Sequence, residues 1–471
     1  MSGNLYIFAA LDMKRALSSI VFRAAAAIVT AFALFSCAQP FEYGDGFGFI
    51  VPPEGTSQDK GVRNPTELTR NVLLLYSAGH TSGIPKYLKE DIQDLMKGWL
   101  PRGTGFSNDV VLVYSHLPKT TADMAWNYSE RNSPVLFRLY MGEDGNVVSD
   151  TLNVYAQETI SASAGQLNEV LNYVYRSFPA KGYGMIFSSH ATGYLPEGFY
   201  NDPDSYIYTD SSAAGRSLSA ARPYVEPVWM REGPMVKSLG YDYARVGGVA
   251  VSDEMDLKDF AAAIPMKLDY LLFDACLMGG IEVAYELRGK CSKVGFSQAE
   301  VLAEGFDYKS LTMHLLGDDP YPQGVCEDYF LQYDVLYGNE RSATVSLIDC
   351  DRLEPLAAVC RDLFSKYREG LNSIRASRVQ RYYRYDCHWF YDLYDIVAEA
   401  GAEEAELAEL QAALDLCVDY KAATPEFLPY SYGFTIDVFS GFSMYLPANG
   451  HLELDKYYRT LQWNKATGLV E

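Results

Sequence analysis

An α/β fold, with a mostly parallel sheet covered by helices on both faces, is predicted by three features of this chain. From about Asn71 onward, short apolar runs alternate with stretches of helical periodicity. Several of those runs are apolar almost throughout, the pattern of strands buried on both faces. Two of them end in short polar segments that carry a histidine and a cysteine. In parallel α/β sheets, sites collect just past the carboxyl ends of the strands. We therefore expect a three-layer αβα sandwich with a C-terminal α+β subdomain packed against, or extending, its sheet.

The elements follow in chain order. Val72 to Tyr76 reads as a buried strand, and Leu88, Ile92, Leu95, Met96 and Trp99 recur at helical spacing. Val110 to Tyr114 is a second strand, and Val135 to Tyr140, followed by Gly142 to Gly145, suggests a hairpin arm. Ser163 and Gln166 have capping-box spacing ahead of Leu167, Val170, Leu171, Val174 and Tyr175. That helix feeds the strand Gly184 to Phe187. An irregular insert rich in Tyr, Asp, Ser and Gly runs from about Pro196 to Gly248, a length that marks functional or disordered loops. Leu257, Phe260, Ala261 and Ile264 mark the helix that feeds the strand Leu268 to Phe273. After about Tyr321, we expect a strand at Ala343 to Ile348, a helix from Leu356 to Leu371, a helical pair at Phe390–Ala400 and Glu403–Tyr420, and a strand at Gly441 to Leu446. The division is thus 71–320 for the first domain and 321–471 for the C-terminal subdomain.

The two polar segments are Ser188-Ser-His190-Ala191-Thr-Gly193-Tyr194 and Asp274-Ala-Cys276-Leu-Met-Gly279. Their His and Cys are 86 positions apart in sequence, yet two strand ends on one sheet edge can bring them together. A thiol becomes a nucleophilic thiolate near neutral pH when an imidazole supplies a base and a positive field. Asp-Ala-Cys-x-x-Gly is also close to the Q-A-C-x-G nucleophile signature, with the His upstream in both. A lone Cys after a strand is more often core, and a lone His more often structural. The flanking Asp274 and the Gly279-Gly280 turn shift that balance toward catalysis. Asp274 itself, as a bare residue ahead of a helix, reads as an N-cap. Glu282 and Glu286 read as solvated or in ion pairs. No G-x-S-x-G or H-E-x-x-H occurs, which disfavours a serine hydrolase and a zinc peptidase.

Taken together these segments resemble the clostripain family of cysteine endopeptidases, a caspase-fold group. The second motif continues as Ile281-Glu282-Val-Ala-Tyr-Glu286-Leu287, and further matches are Glu254 to Phe260, Phe296-Ser-Gln298-Ala-Glu300, Trp389 to Leu393 and Ser440 to Leu446. The resemblance implies a caspase-like fold and a Cys276–His190 dyad. It further implies an oxyanion hole from the Cys276 and Ala191 backbone amides, and Asp274 at the floor of a pocket for a P1 Arg or Lys. Glu300 and Glu304 are placed at the rim of that pocket. The resemblance also implies activating cleavage in the insert after a basic residue, for which Arg216, Arg222, Arg231 and Lys237 are available. Two positions depart from the family pattern: Ala191 stands where Gly is usual, and Tyr194 where Trp is usual. If the first position needs a positive φ, Ala191 is strained there and the oxyanion hole misaligned.

The 471 residues exceed one ordinary core. A composition of 48% hydrophobic and 21% charged residues is that of a globular chain. The formal charge of −22 argues against nucleic acid as a partner. Met13-Lys-Arg15 followed by the apolar stretch Ala24 to Phe35 reads as an export signal, too short to remain as a membrane span. It ends at Leu34-Phe-Ser-Cys37, similar to a bacterial lipobox, so residues 1–36 would be removed and Cys37 acylated. Residues 37–70 then form a tether rich in Gly, Pro, Asp and Glu. Of eight cysteines, none shows CxxC spacing, so no zinc site is expected. Export permits disulfides; one or two bridges at most are expected, and Cys350, Cys360 and Cys417 fit buried free thiols.

The resulting expectation is a monomeric cysteine endopeptidase, lipid-anchored in a bacterial cell envelope and cleaving peptides after Arg or Lys. No metal or cofactor is expected; a calcium requirement has no signature that can be read. The rival expectation is a catalytically weak or inactive peptide-binding lipoprotein that keeps the fold.

Overall fold

The computed structural model describes residues 68–79, 84–103, 109–117, 133–157, 159–200, 203–204, 206–208, 242–246, 249–384 and 389–471. The export signal, Cys37, nearly all of the tether and the four basic residues of the insert lie outside the described residues.

Among the described residues, nine strands form the central sheet, in the spatial order 418–423, 344–349, 291–296, 268–274, 180–188, 69–78, 110–116, 135–141 and 147–154. Its middle consists of β1 (Thr69–Ala78), β2 (Val110–His116), β5 (Ala180–Ser188), β8 (Leu268–Asp274) and β9 (Cys291–Phe296), all parallel. Each of these is buried along most of its length, as helices on both faces require. One edge is the antiparallel hairpin β3 (Val135–Met141) and β4 (Val147–Val154). The other is β10 (Thr344–Asp349) and β12 (Val418–Ala423), both antiparallel to their neighbours.

The helices fall into two layers. In one, α2 (Ala164–Ser177), α3 (Leu257–Ala263), α4 (Ile281–Leu287), α12 (Gln462–Thr467), α7 (Leu353–Lys366) and α10 (Glu404–Cys417) pack in series. In the other, α5 (Leu311–Leu315) packs on α6 (Pro322–Asp334), which lies against β9, β10 and β12. The helix α1 (Pro85–Lys97) buries Leu88, Ile92 and Leu95. Local signals explain several starts. Ser163 Oγ accepts the Gln166 N–H at 3.2 Å and caps α2, and Asp256 caps α3 through the Lys258 N–H at 2.9 Å.

A row of aromatic rings crosses the sheet just below its carboxyl edge. Tyr114, Tyr76, Phe187 and Phe273 occupy matching register positions on β2, β1, β5 and β8. Successive ring centroids are 4.3, 5.5 and 6.1 Å apart. Phe260 of α3 meets Phe187 edge-on at 5.1 Å. Cross-strand aromatic pairs lock register, and here they do so one residue before the polar segments begin.

Four expectations are corrected. Trp99 lies beyond α1 and is half exposed. The long helix expected at Leu356–Leu371 breaks at Tyr367 into α7 and α8 (Arg368–Ser373). Residues 418–420, expected to end the helix Glu403–Tyr420, instead open the edge strand β12, because the β10 backbone is there to pair with them. The end of the insert is not irregular: β6 (Asp242–Val246) and β7 (Val249–Asp253) form a hairpin.

Candidate active site

β5 and β8 are parallel neighbours with Ser188 opposite Asp274. His190 and Cys276 each lie two residues beyond that pair, so the two strands deliver them to the same height on one edge. Both are buried, at 1% and 0% exposure, and so is Ala191.

The Cys276 loop is held by backbone. The Leu277 N–H donates to the Ala299 carbonyl at 2.8 Å, and the Gly279 N–H to the Ser297 carbonyl at 2.7 Å. The Val301 N–H donates to Cys276 Sγ at 3.1 Å. A hydrogen bond to the charged form lowers the cost of a thiolate. The helix α4 begins only at Ile281, with Gly280 as N-cap. The Val301 amide is therefore the nearer donor. Gln298 pins the facing segment through Nε2, 2.5 Å from Ser346 Oγ and 2.8 Å from the Gly441 carbonyl.

The two loops meet at Gly193. Its φ is +63°, and a Cβ there would stand 2.5 Å from the Leu277 carbonyl oxygen, so both conformation and approach require glycine. The strain expected at Ala191 is absent: among the described residues, the non-glycine positions with positive φ are Leu277 (61°), Leu428 (45°) and Tyr432 (57°). The left-handed residue is thus the one after Cys276, not the one after His190. Tyr194, in the slot where the family has Trp, is fully buried against Phe390, Tyr445 and Tyr458. Its hydroxyl donates to the Trp389 carbonyl at 2.5 Å.

Asp274 is fully buried. Its Oδ2 accepts hydrogen bonds from Ser188 Oγ at 3.2 Å and from the Tyr308 hydroxyl at 2.6 Å. Burial, then the Asp274 charge, holds the Tyr308 phenol well above its ordinary pKa. Because α4 is capped by Gly280, the N-cap reading of Asp274 is removed. Glu300 is also buried, and its carboxylate is filled by Arg384: Nε to Oε2 at 2.5 Å and Nη2 to Oε1 at 2.9 Å. Glu304 is exposed on the loop after β9.

Sequence reasoning missed Glu282. Expected to be solvated or ion-paired, it is fully buried. Its Oε1 accepts the Tyr445 N–H at 2.9 Å and the Tyr458 hydroxyl at 2.6 Å. Burial pushes its pKa up to about 7. Glu286 is half-buried and accepts the Gln462 N–H at 3.0 Å. Asp392, in the Trp389-to-Leu393 motif, ties that motif to the Ser440 segment by accepting the Ser440 N–H at 2.7 Å and the Tyr382 hydroxyl at 2.8 Å. The signal in both cases is an acidic residue inside an otherwise apolar string. Of the other histidines, His116 is buried with Nδ1 2.6 Å from Ser161 Oγ, and His451 caps α11 (Leu452–Tyr458). His80 and His388 lie outside the described residues.

A cavity of about 10 Å³ lined by Phe187, Ala191, Gly193 and Met278 adjoins the site, room for one water at most. A cleft of about 390 Å³ lies at the opposite edge, lined by Arg70, Lys181, Asp269 and Lys293. It takes no part in this site, because it opens at the amino ends of β1, β5 and β8. Among the described residues, no three His, Cys, Asp or Glu side chains are grouped to hold a metal. Nor is any described helix long and apolar enough to cross a membrane.

A mostly parallel sheet carrying a His and a Cys at adjacent strand ends defines the class: a cysteine-type peptidase of caspase-like fold. The clostripain family model matches residues 228–468, just over half the chain, and the chain belongs to that family. It is similar to the structure of an inactive zymogen C11 protease from Parabacteroides distasonis, with 25% identity and a TM-score of 0.65, covering 86% of this chain and 99% of that one. It is also similar to a secreted C11 cysteine protease from Bacteroides thetaiotaomicron, at 22% identity and a TM-score of 0.63, covering 85% and 99%. The structure of a secreted C11 cysteine protease from the same organism with an irreversible peptide inhibitor matches equally. At 22% the likeness carries the fold. No curated protein matches the chain.

Proposed function

We propose that this peptidase is an endopeptidase cleaving after Arg or Lys through a dyad of Cys276 and His190. The observation that carries the reading is the register of Ser188 opposite Asp274, which puts both reactive side chains two residues past adjacent strand ends. Cys276 attacks the scissile carbonyl. His190 assists the thiolate and protonates the leaving amine, and the backbone amides of Cys276 and Ala191 receive the oxyanion.

Asp274 supplies the charge for P1. The Ser188 and Tyr308 hydroxyls donate to it, and a guanidinium offers stronger, charge-assisted donors to the same carboxylate. Glu304 belongs at the rim of this pocket, whereas Glu300 already holds a basic side chain of the chain itself. Residues 71–320 constitute the peptidase domain and 321–471 the C-terminal subdomain. Cleavage within the insert activates the enzyme, and an acylated Cys37 holds it to a bacterial envelope as a monomer.

A positional-scanning peptide library on the purified mature chain tests the specificity. Arg and Lys are expected at P1. Asp274→Asn is expected to cut kcat/KM for Arg substrates roughly tenfold or more, since breaking such a charge pair costs about 2–5 kcal/mol. Apolar P1 substrates should change little. A wild-type preference for Asp or a large apolar P1 residue would remove Asp274 from the pocket.

A further inference from the structure

Cys291 opens β9 and Cys350 directly follows β10. These strands are antiparallel neighbours with Asp349 opposite Lys293, and both cysteines lie just beyond that last rung, Cys291 two residues before Lys293 and Cys350 at the start of the 3-10 turn that follows Asp349. Their sulfurs are 3.9 Å apart and both side chains are buried. Cys291 pairs in register with Leu268, the first residue of β8. The pair therefore lies at the sheet edge opposite Cys276, away from the catalytic machinery. A disulfide needs a sulfur separation of about 2.05 Å and Cα atoms about 4.4–6.8 Å apart. With the sulfurs already 3.9 Å apart, closing to bonding distance asks for a relative shift of about 2 Å.

We propose that Cys291 and Cys350 become joined by a disulfide when the protein folds in an oxidising compartment. The bond would fasten the antiparallel edge, β10 with β12, to the parallel sheet. The oxidant is a dithiol–disulfide exchange partner in its oxidised form. One cysteine thiolate attacks the partner's disulfide, giving a mixed disulfide and releasing one partner thiolate. The second cysteine thiolate attacks the protein-side sulfur, forming the Cys291–Cys350 bond and expelling the second partner thiolate. Two protons leave the protein thiols, and two electrons and two protons end on the partner as a dithiol.

The timing follows from the surroundings. In the folded chain, the contact with Cys291 and then burial hold the Cys350 thiol well above its ordinary pKa. Thiolate attack is thereby suppressed once the edge has closed. The bond forms while β9 and β10 come together, and afterwards it is sealed from reductant.

The test uses the full chain carrying Cys276→Ala, which removes the proposed nucleophile and self-cleavage. It is refolded in a glutathione redox buffer or, in parallel, under full reduction. Acid-quenched, alkylated, non-reduced digests should yield one linked peptide pair containing Cys291 and Cys350. The oxidised form should melt about 3–8 °C above the reduced one, given the 59-residue separation of the two cysteines. Adding Cys350→Ala should abolish that difference. Recovery of Cys291 and Cys350 as separately alkylated peptides, or linked to other cysteines, would overturn the proposal. If the alanine variant fails to fold, the peptide map of the parent chain decides alone.

Discussion

The His190 loop and the Cys276 loop cross the same sheet edge but are secured by different means. The histidine loop hangs on a side chain: Tyr194 is buried among Phe390, Tyr445 and Tyr458 and bonded to the Trp389 carbonyl. Every one of those supports comes from beyond residue 388. The cysteine loop is a backbone construction, laced to residues 297–301 by main-chain N–H groups. Its far end reaches the same C-terminal residues through Glu282, which takes the Tyr445 N–H and the Tyr458 hydroxyl. Packing tolerates a change of aromatic residue, as the Tyr in place of the family's Trp illustrates, whereas a backbone ladder with a left-handed Leu277 leaves less freedom.

The strongest test of the proposed dyad is to remove the Cys276 thiol and the His190 imidazole in turn. Cys276→Ala and His190→Ala should each reduce peptide cleavage at least a thousandfold while leaving circular dichroism and melting behaviour near wild type. Near-normal turnover in either variant would break the pairing of the loops as a dyad.

A smaller effect should come from Glu282. Its ordinary pKa is 4.5 and its folded value about 7, so between these values the native state keeps a proton that the unfolded chain has released. The associated stability is full below pH 4.5 and is lost as pH rises toward 7, by about 3 kcal/mol in all. Glu282→Gln cannot ionise, so its melting temperature should fall less across pH 4.5–7.5 than that of the parent, by a few degrees. Parallel melting curves for the two proteins would show that Glu282 does not titrate in that range.

The smallest effect is expected at the histidine loop's departure from the family pattern. Since Ala191 is not among the residues with positive φ, Ala191→Gly should leave kcat unchanged. It should lower stability by about 0.5–1 kcal/mol, measured by chemical denaturation, through backbone entropy alone. A clear rise in kcat would restore the view that Ala distorts the oxyanion hole.

The parallel α/β core and the two segments on which the site is built are legible in the order of the amino acids alone. Both are local properties: near-continuous apolar runs such as Val72 to Tyr76, and polar strings such as Asp274-Ala-Cys276 that begin where those runs stop. Capping at Ser163 was legible for the same reason, since donor and acceptor are three residues apart. The remaining features depend on partners far along the chain. Residues 418–420 read as the end of a helix in sequence but open β12 once β10 offers an edge. Glu282 looks solvent-facing until Tyr445 and Tyr458 arrive from 163 and 176 positions away. Glu300 looks free to meet substrate until Arg384 fills it from 84 positions away, and no local periodicity carries a trace of a contact that chain closure alone brings about.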